Sequence, residues 1–281
     1  MYGGRLMPMD NMEINLRMVQ SHCIKIMEDI DKLCRKFEIR YSLTGGSVIG
    51  AYLYNGFIPW DDDIDIMMLR EDYEKFLKIC KTELPNNYSI HNFENGKDKT
   101  ILFSKVVDEN TTLVEQKSGG RRVVEGIFVD ITVFDKFPRN KIGRFYYSCL
   151  CKAVQCCIDR GKENDKFFET LFKNICRFMI KGYENRFYNF VKRQFMEYES
   201  NSYDYTELFA GFTIPYRPEL FNEYMDILFE GKLFMIVKDY ISYLETRYGK
   251  REFYREKKPG DAPHHLVYAD CNRPYKEYGR V

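Results

Sequence analysis

This 281-residue chain has no surplus of either charge. Its 43 Lys and Arg face 42 Asp and Glu, a net charge of +1, so no global field favours nucleic acid or an anionic membrane. No window reaches the ~18 uninterrupted apolar residues that a spanning helix needs. The nearest is Phe145 to Ile158 (FYYSCLCKAVQCCI), broken by Lys152 and Gln155. It reads as a buried helix, with a helix resting on a membrane as the alternative. The opening MYGGRLMPMD lacks the apolar core of a signal peptide. The nine cysteines are odd in number, irregularly spaced and never paired as C-x-x-C, which argues against a zinc ribbon or a redox motif. Reduced thiols in a cytoplasmic protein are expected, and a disulfide framework is not. Internal repeats, low-complexity tracts and a clear linker are also missing, and there is a single Trp.

The length permits one large domain or two small ones. Aromatic residues make up 16%, carried by 22 Phe and 22 Tyr, enough to fill a sizeable core. Residues 11–38 predict one long helix, because Leu16, Val19, Cys23, Ile26, Ile30, Leu33 and Phe37 recur at steps of three and four. Tyr41 to Thr44 suits a short strand ended by Gly45-Gly46, and Ser47 to Tyr54 a short helix. Ile64, Ile66 and Met68 alternate with Asp63, Asp65 and Met67, the period of a strand. Glu71 to Cys80 is a further helix. Tyr88–Phe93, Ile101–Val107, Thr111–Glu115 and the apolar run Gly126–Phe134 follow as strands. Lys141 to about Tyr198 turns helical, with a cluster Phe168, Leu171, Phe172, Ile175, Phe178 and Met179. A loop with two prolines near 209–218, a last helix over Val237–Tyr248 and a basic, irregular tail complete the chain. The expected fold is an α/β unit, of α+β type, with a helical addition.

The chemistry concentrates in LTGGSVIG (43–50) and IPWDDDIDI (58–66). Two glycines after a strand let the backbone take positive φ and approach a ligand closely. The helix opening at Ser47 then turns unpaired N–H groups toward an anion such as a phosphate. Asp63 and Asp65, two apart on a strand, project to one face and suit Mg²⁺ or Mn²⁺, which prefer oxygen ligands. A phosphate cradle beside a metal seat is what phosphoryl transfer requires. Asp61 and Asp62 read as a solvated or capping pair. Asp130, flanked by apolar neighbours in GIFVDITVF, needs a partner, either the same metal or a buried Arg. Asp135 reads as the end of that strand.

These residues resemble the LicD family of choline-phosphate transferases, related to fukutin and to the wider nucleotidyltransferase fold. The matching stretches are LTGGSVIGAYLYNGFIPWDDDIDIMMLREDYEKF (43–76), FSKVVDENTTLVE (103–115), GIFVDITVFD (126–135) and FEGKLFMIVKDYISYLETRYG (229–249), with His264-His265 in the tail. FIPWDDDIDI is long and highly specific; the His pair alone is weak. The resemblance implies a nucleotidyltransferase-like mixed β-sheet flanked by helices in a single catalytic domain over 1–281. Its parts are an N-terminal helix (11–38), a core (about 39–136), a helical region (about 141–200) and a C-terminal segment (about 205–281). It implies transfer of phosphocholine, or a similar phospho-alcohol, from a CDP-linked donor to a glycan of lipopolysaccharide, teichoic acid or capsule.

In that reading Asp63, Asp65 and Asp130 are catalytic metal ligands, with Asp130 alternatively the base for the acceptor hydroxyl. Gly45, Gly46 and Ser47 hold donor phosphates. Lys105 reads equally as a phosphate contact or a solvated strand lysine. Arg121 and Arg122 offer weaker contacts of the same kind, and His264 and His265 either close over the donor or are solvated. Neither nucleic acid nor more than peripheral membrane contact is expected. A lipid-linked glycan acceptor would place the protein at the inner face of the cell membrane. Two other readings use the same residues: a nucleotidyltransferase releasing pyrophosphate from an NTP, and a degenerate glycan-binding protein.

Overall fold

The computed structural model describes residues 9–97, 101–116, 122–158, 174–175, 178, 181–207, 214–250 and 266–278, with 9–15 and 156–158 described by backbone alone. His264, His265, Arg121 and most of the apolar cluster at 168–179 lie outside these residues.

The long apolar stripe forms helix α1 (Met9–Lys36), which buries Val19, Cys23, Ile26, Ile30 and Leu33. The central sheet is mixed. Its order is β1 (Ser42–Leu43), β2 (Asp65–Leu69), β7 (Phe128–Pro138), β4 (Ser104–Asp108), β3 (Tyr88–His91). Strands β2 and β7 run parallel, and the other pairs are antiparallel. Both faces of β2 are covered, so Ile66, Met67 and Met68 are all buried and the expected alternation is lost. Helix α3 (Arg70–Glu83) follows β2 directly and packs on it.

A second sheet joins β11 (Leu266–Asp270), β5 (Thr112–Gln116) and β6 (Arg122–Glu125). The tail is therefore ordered over 266–270, where an irregular segment is expected. β6 pairs with β5, its neighbour in the chain, whereas β11 takes its hydrogen bonds from β5 across a long stretch of sequence that no local period reports.

Ahead of the expected last helix lies a hairpin, β9 (Tyr224–Phe229) and β10 (Lys232–Val237), which takes Val237 from it and has Gly231 at φ +74 in its turn. The last helix, α6, covers only Tyr240–Tyr248 and is capped by Asp239, which accepts from the Ser242 N–H. Two neighbours claim the hairpin's backbone: Val237 N donates to Ser42 Oγ (3.0 Å) and Met235 N to Tyr41 Oη (3.0 Å).

Beyond the sheet, α4 (Lys141–Ile158) and α5 (Glu184–Met196) build a smaller core on Phe93 and Phe137. α4 is only half buried. Tyr147, Cys151 and Val154 face this core, while Ile142, Phe145 and Cys149 face outward, against the expectation of a buried helix. Among the described residues no helix is long and apolar enough to cross a membrane, and no disulfide is present.

Asp135 does not end its strand. It lies in the middle of β7, buried, and takes two hydrogen bonds of 2.7 Å from the Arg70 guanidinium. Strand β7 continues to Pro138 because β8 (Tyr203–Thr206) pairs with its far end. The buried Arg considered as a partner for Asp130 thus belongs to Asp135.

Candidate active site

The parallel pairing of β2 and β7 places Asp65 opposite Asp130. The antiparallel pairing of β7 and β4 places Asp130 opposite Lys105, and Lys105 in turn faces His91 on β3. In-register residues on neighbouring strands lean to the same side, so this register alone brings two carboxylates together with a cation beside them. Asp63 precedes β2 rather than lying in it, yet joins them. Carboxylate oxygens of Asp63, Asp65 and Asp130 lie within 4.8 Å of one another. Asp130 Oδ1 is buried and has no hydrogen-bond partner, the condition of a ligand waiting for a cation. An oxygen-only donor set of this kind suits Mg²⁺ or Mn²⁺.

Asp61 belongs to the site, contrary to its reading as a solvated or capping residue. With Asp62 and Asp63 it forms a second carboxylate group of the same tightness, joined to the first through Asp63. The acidic loop is held from behind by α1. There Gln20 Nε2 donates to the Asp61 carbonyl (2.7 Å), and the Cys23 thiol approaches the carbonyls of Asp62 (3.7 Å) and Phe128 (3.5 Å).

The glycine turn meets this loop at close range. Helix α2 (Gly45–Tyr54) opens at Gly45, two residues earlier than expected, because Gly45 adopts φ +56 and turns the chain. A Cβ on Gly45 would stand 3.0 Å from Asp65 Oδ2, and one on Gly46 2.8 Å from Asp61 Oδ2. Both glycines therefore make room for carboxylates. No side chain caps α2; Thr44 Oγ1 bonds to Tyr243 Oη (2.5 Å) instead. Tyr243 Oη also accepts from Gly45 N (3.2 Å). The buried Ser47 hydroxyl accepts from Asp65 N (2.9 Å), so it fixes the strand start next to the turn.

The electrostatics follow from crowding. Burial raises the carboxyls of Asp63 and Asp130 well above the usual aspartate range; the charge of Asp65 adds to this at Asp63, while Lys105 opposes it at Asp130. Asp61 is pushed up to about 7 by burial, then by Asp65 and Asp62. Asp65 reaches only about 6, because Arg247 opposes the effect of its burial.

Lys105 is not a solvated strand lysine. It is buried, donates to Glu125 Oε1 (2.7 Å) and lies 3.3 Å from the Phe128 ring centroid. Burial lowers its basicity, but Asp130 and Glu125 outweigh this and hold it charged. Arg122 is exposed on β6. Sequence reasoning missed Arg247 and Glu207, an ion pair beside Asp65. Arg247 lies one turn beyond Tyr243 on α6, so the Tyr243 anchor at the glycine turn brings the guanidinium with it. No local pattern marks either residue; the DDD string itself was the available sign for Asp61.

Residues 38–144 match the family model described as LicD/FKTN/FKRP, nucleotidyltransferase domain. Residues 38–144 are a LicD-type nucleotidyltransferase domain. With it the chain is an enzyme of the transferase class, and the family read from FIPWDDDIDI stands. The lipopolysaccharide cholinephosphotransferase LicD of Haemophilus influenzae is 29% identical over 288 residues, covering 90% of this chain and 97% of its own length. An uncharacterized protein of Rickettsia prowazekii is 29% identical over 90 residues, covering 25% of this chain and 34% of its own. Among solved structures, terminal uridylyl transferase 4 from Trypanosoma brucei with bound GTP matches 57% of this chain and 50% of its own, at 11% identity. Its TM-score of 0.24 carries no weight.

Proposed function

We propose that this LicD-type chain transfers phosphocholine, or a similar phospho-alcohol, from a CDP-linked donor to a cell-surface glycan, and that the reaction needs Mg²⁺ or Mn²⁺. The observation that carries the metal requirement is the unpartnered Asp130 Oδ1, set in register with Asp65 and within reach of Asp63. The choice of cargo is supported by the likeness to the Haemophilus influenzae cholinephosphotransferase along nearly its whole length. An acceptor carried on lipid would bring the chain to the inner face of the cell membrane.

In this reading Asp63, Asp65 and Asp130 hold the ion. A divalent cation there would neutralise charge on the donor diphosphate and on departing CMP. The first turn of α2 offers the Gly46 and Ser47 amides to the donor phosphates, while the absence of a Cβ at Gly45 and Gly46 lets Asp65 and Asp61 stand close beside that turn. The acceptor hydroxyl oxygen attacks the phosphorus that bears the alcohol. The bond from that phosphorus to the CMP oxygen breaks, and the hydroxyl proton passes to a carboxylate of the cluster. Lys105 and Arg247, each held by its own glutamate, supply fixed positive charge beside the carboxylates.

Incubating the protein and Mg²⁺ with CDP-choline, CDP-ribitol or CDP-glycerol and a glycan acceptor should release CMP. Pyrophosphate from CTP instead would overturn the transfer reading in favour of nucleotidyl transfer. Asp65→Asn should abolish CMP release while circular dichroism stays unchanged; surviving activity would remove Asp65 from the metal site.

A further inference from the structure

The outward face of α4 is apolar and has no partner among the described residues. Ile142 is 84% exposed, Phe145 73% and Tyr146 45%. With Cys149 they recur at steps of three, one and three, so they form one stripe, opposite the stripe of Tyr147, Cys151 and Val154 that packs on α5. The helix is thus apolar on two sides while only one is used. Its charges are one-sided as well: residues 141–158 contain Lys141, Arg144 and Lys152 and no carboxylate. Arg144 is engaged with the Pro138 carbonyl and Asp204, which leaves Lys141 and Lys152 outward at the two ends of the stripe.

We propose that this face of α4 rests on an anionic lipid surface, with Ile142 and Phe145 entering the headgroup boundary and Lys141 and Lys152 meeting lipid phosphates. Large apolar side chains flanked by lysines, on a helix too short and too polar to span, are the composition of an interfacial helix. A second copy of the chain fits poorly, because a symmetric contact would set these cations against each other without a carboxylate on the helix to answer them. The contact lies away from the carboxylates. The N-terminal end of α4 sits at Pro138, and Asp130 is eight residues back along β7, roughly 26 Å at ~3.3 Å per residue. The inference does not depend on which group is transferred.

Sedimentation with phosphatidylcholine vesicles containing phosphatidylglycerol tests it. The full chain should bind these vesicles, bind pure phosphatidylcholine much less, and be released by salt. Ile142→Asp with Phe145→Asp should weaken binding at least tenfold. Lys141→Glu with Lys152→Glu, a purely surface change that leaves the fold intact, should remove the preference for the anionic vesicles. Both pairs should release CMP with a soluble acceptor at the normal rate. A chain that stays in the supernatant, or a lysine pair that binds like the unaltered protein, would overturn the proposal. So would a dimer in sedimentation equilibrium that Phe145→Asp disperses. Absence of CMP release by every form would count against the transfer reading alone and leave the vesicle result standing.

Discussion

Asp65 stands close enough to Asp63 to raise its proton affinity, and burial raises both. A cluster of this kind opposes folding until a cation enters it. Asp63→Asn should therefore stabilise the metal-free protein, by roughly 1 kcal/mol or about 2–4 °C in Tm. It should also lose most of the Tm increase that Mg²⁺ gives the unaltered chain, a pair of outcomes that differential scanning fluorimetry separates. Gly45→Ala acts differently. The left-handed backbone at φ +56 costs an L-residue about 1–2 kcal/mol, and the new methyl would press on Asp65 Oδ2. A urea titration should show that loss, together with weaker Mg²⁺ binding by isothermal titration. Weakened stability with normal Mg²⁺ binding would mean that the turn does not position Asp65.

The elements are tied together by buried polar pairs as much as by apolar surface. Arg70 at the start of α3 and Asp135 within β7 form a buried bidentate pair. Asp135→Ala would leave the buried guanidinium with Glu74 (3.1 Å), a partly exposed carboxylate, as its remaining partner, which should cost about 3 kcal/mol in a denaturant titration. An effect under ~1 kcal/mol would mean that the existing pair with Glu74 is enough to hold Arg70. The strand run GIFVDITVF was legible as a strand because its apolar residues are nearly continuous. The end of that strand was not, because β8 extends it from some seventy residues downstream. The β9–β10 hairpin was missed because its turn, Glu230-Gly231, is short and KLFMIV is followed after only Lys238-Asp239 by the last helix.

At the scale of the whole molecule, the carboxylate cluster sets the direction of the pH response. Unfolded aspartates titrate near 3.8, whereas Asp65 and Asp61 in the fold titrate at about 6 and 7, with Asp63 and Asp130 also raised. The folded chain therefore binds protons more tightly than the unfolded one. This contribution to stability is full below the unfolded value and is lost as pH rises through the folded values. The Tm of the metal-free protein should fall between about pH 5 and 8, and Mg²⁺ should raise it more at the upper end, where it competes with fewer protons. A flat profile without metal would mean that the four carboxylates are better solvated than their placement indicates. His22 adds to the same trend: burial lowers its basicity, but its 2.8 Å contact with Asp108 prevails and lifts it to about 9. The stability it contributes is likewise full below its unfolded value of 6.5 and lost as pH rises through 9.

Sequence alone determined the chemistry that local pattern can express. A glycine pair before a helix, a carboxylate string running into an apolar strand, and an aspartate within an apolar run each conflict with burial unless a phosphate or a cation resolves them. Those signs singled out Asp63, Asp65 and Asp130, and the wording of FIPWDDDIDI carried the resemblance to the LicD family. What only the tertiary structure decided is who stands beside whom. Register across β2, β7 and β4 aligned Asp65, Asp130 and Lys105, and turned Lys105 from a free phosphate contact into a buried cation held by Glu125. The packing of α6 on the glycine turn brought in Arg247, and the shape of the acidic loop brought in Asp61. Strand register, helix docking and the second face of α4 depend on residues distant in sequence, so no local period carries them.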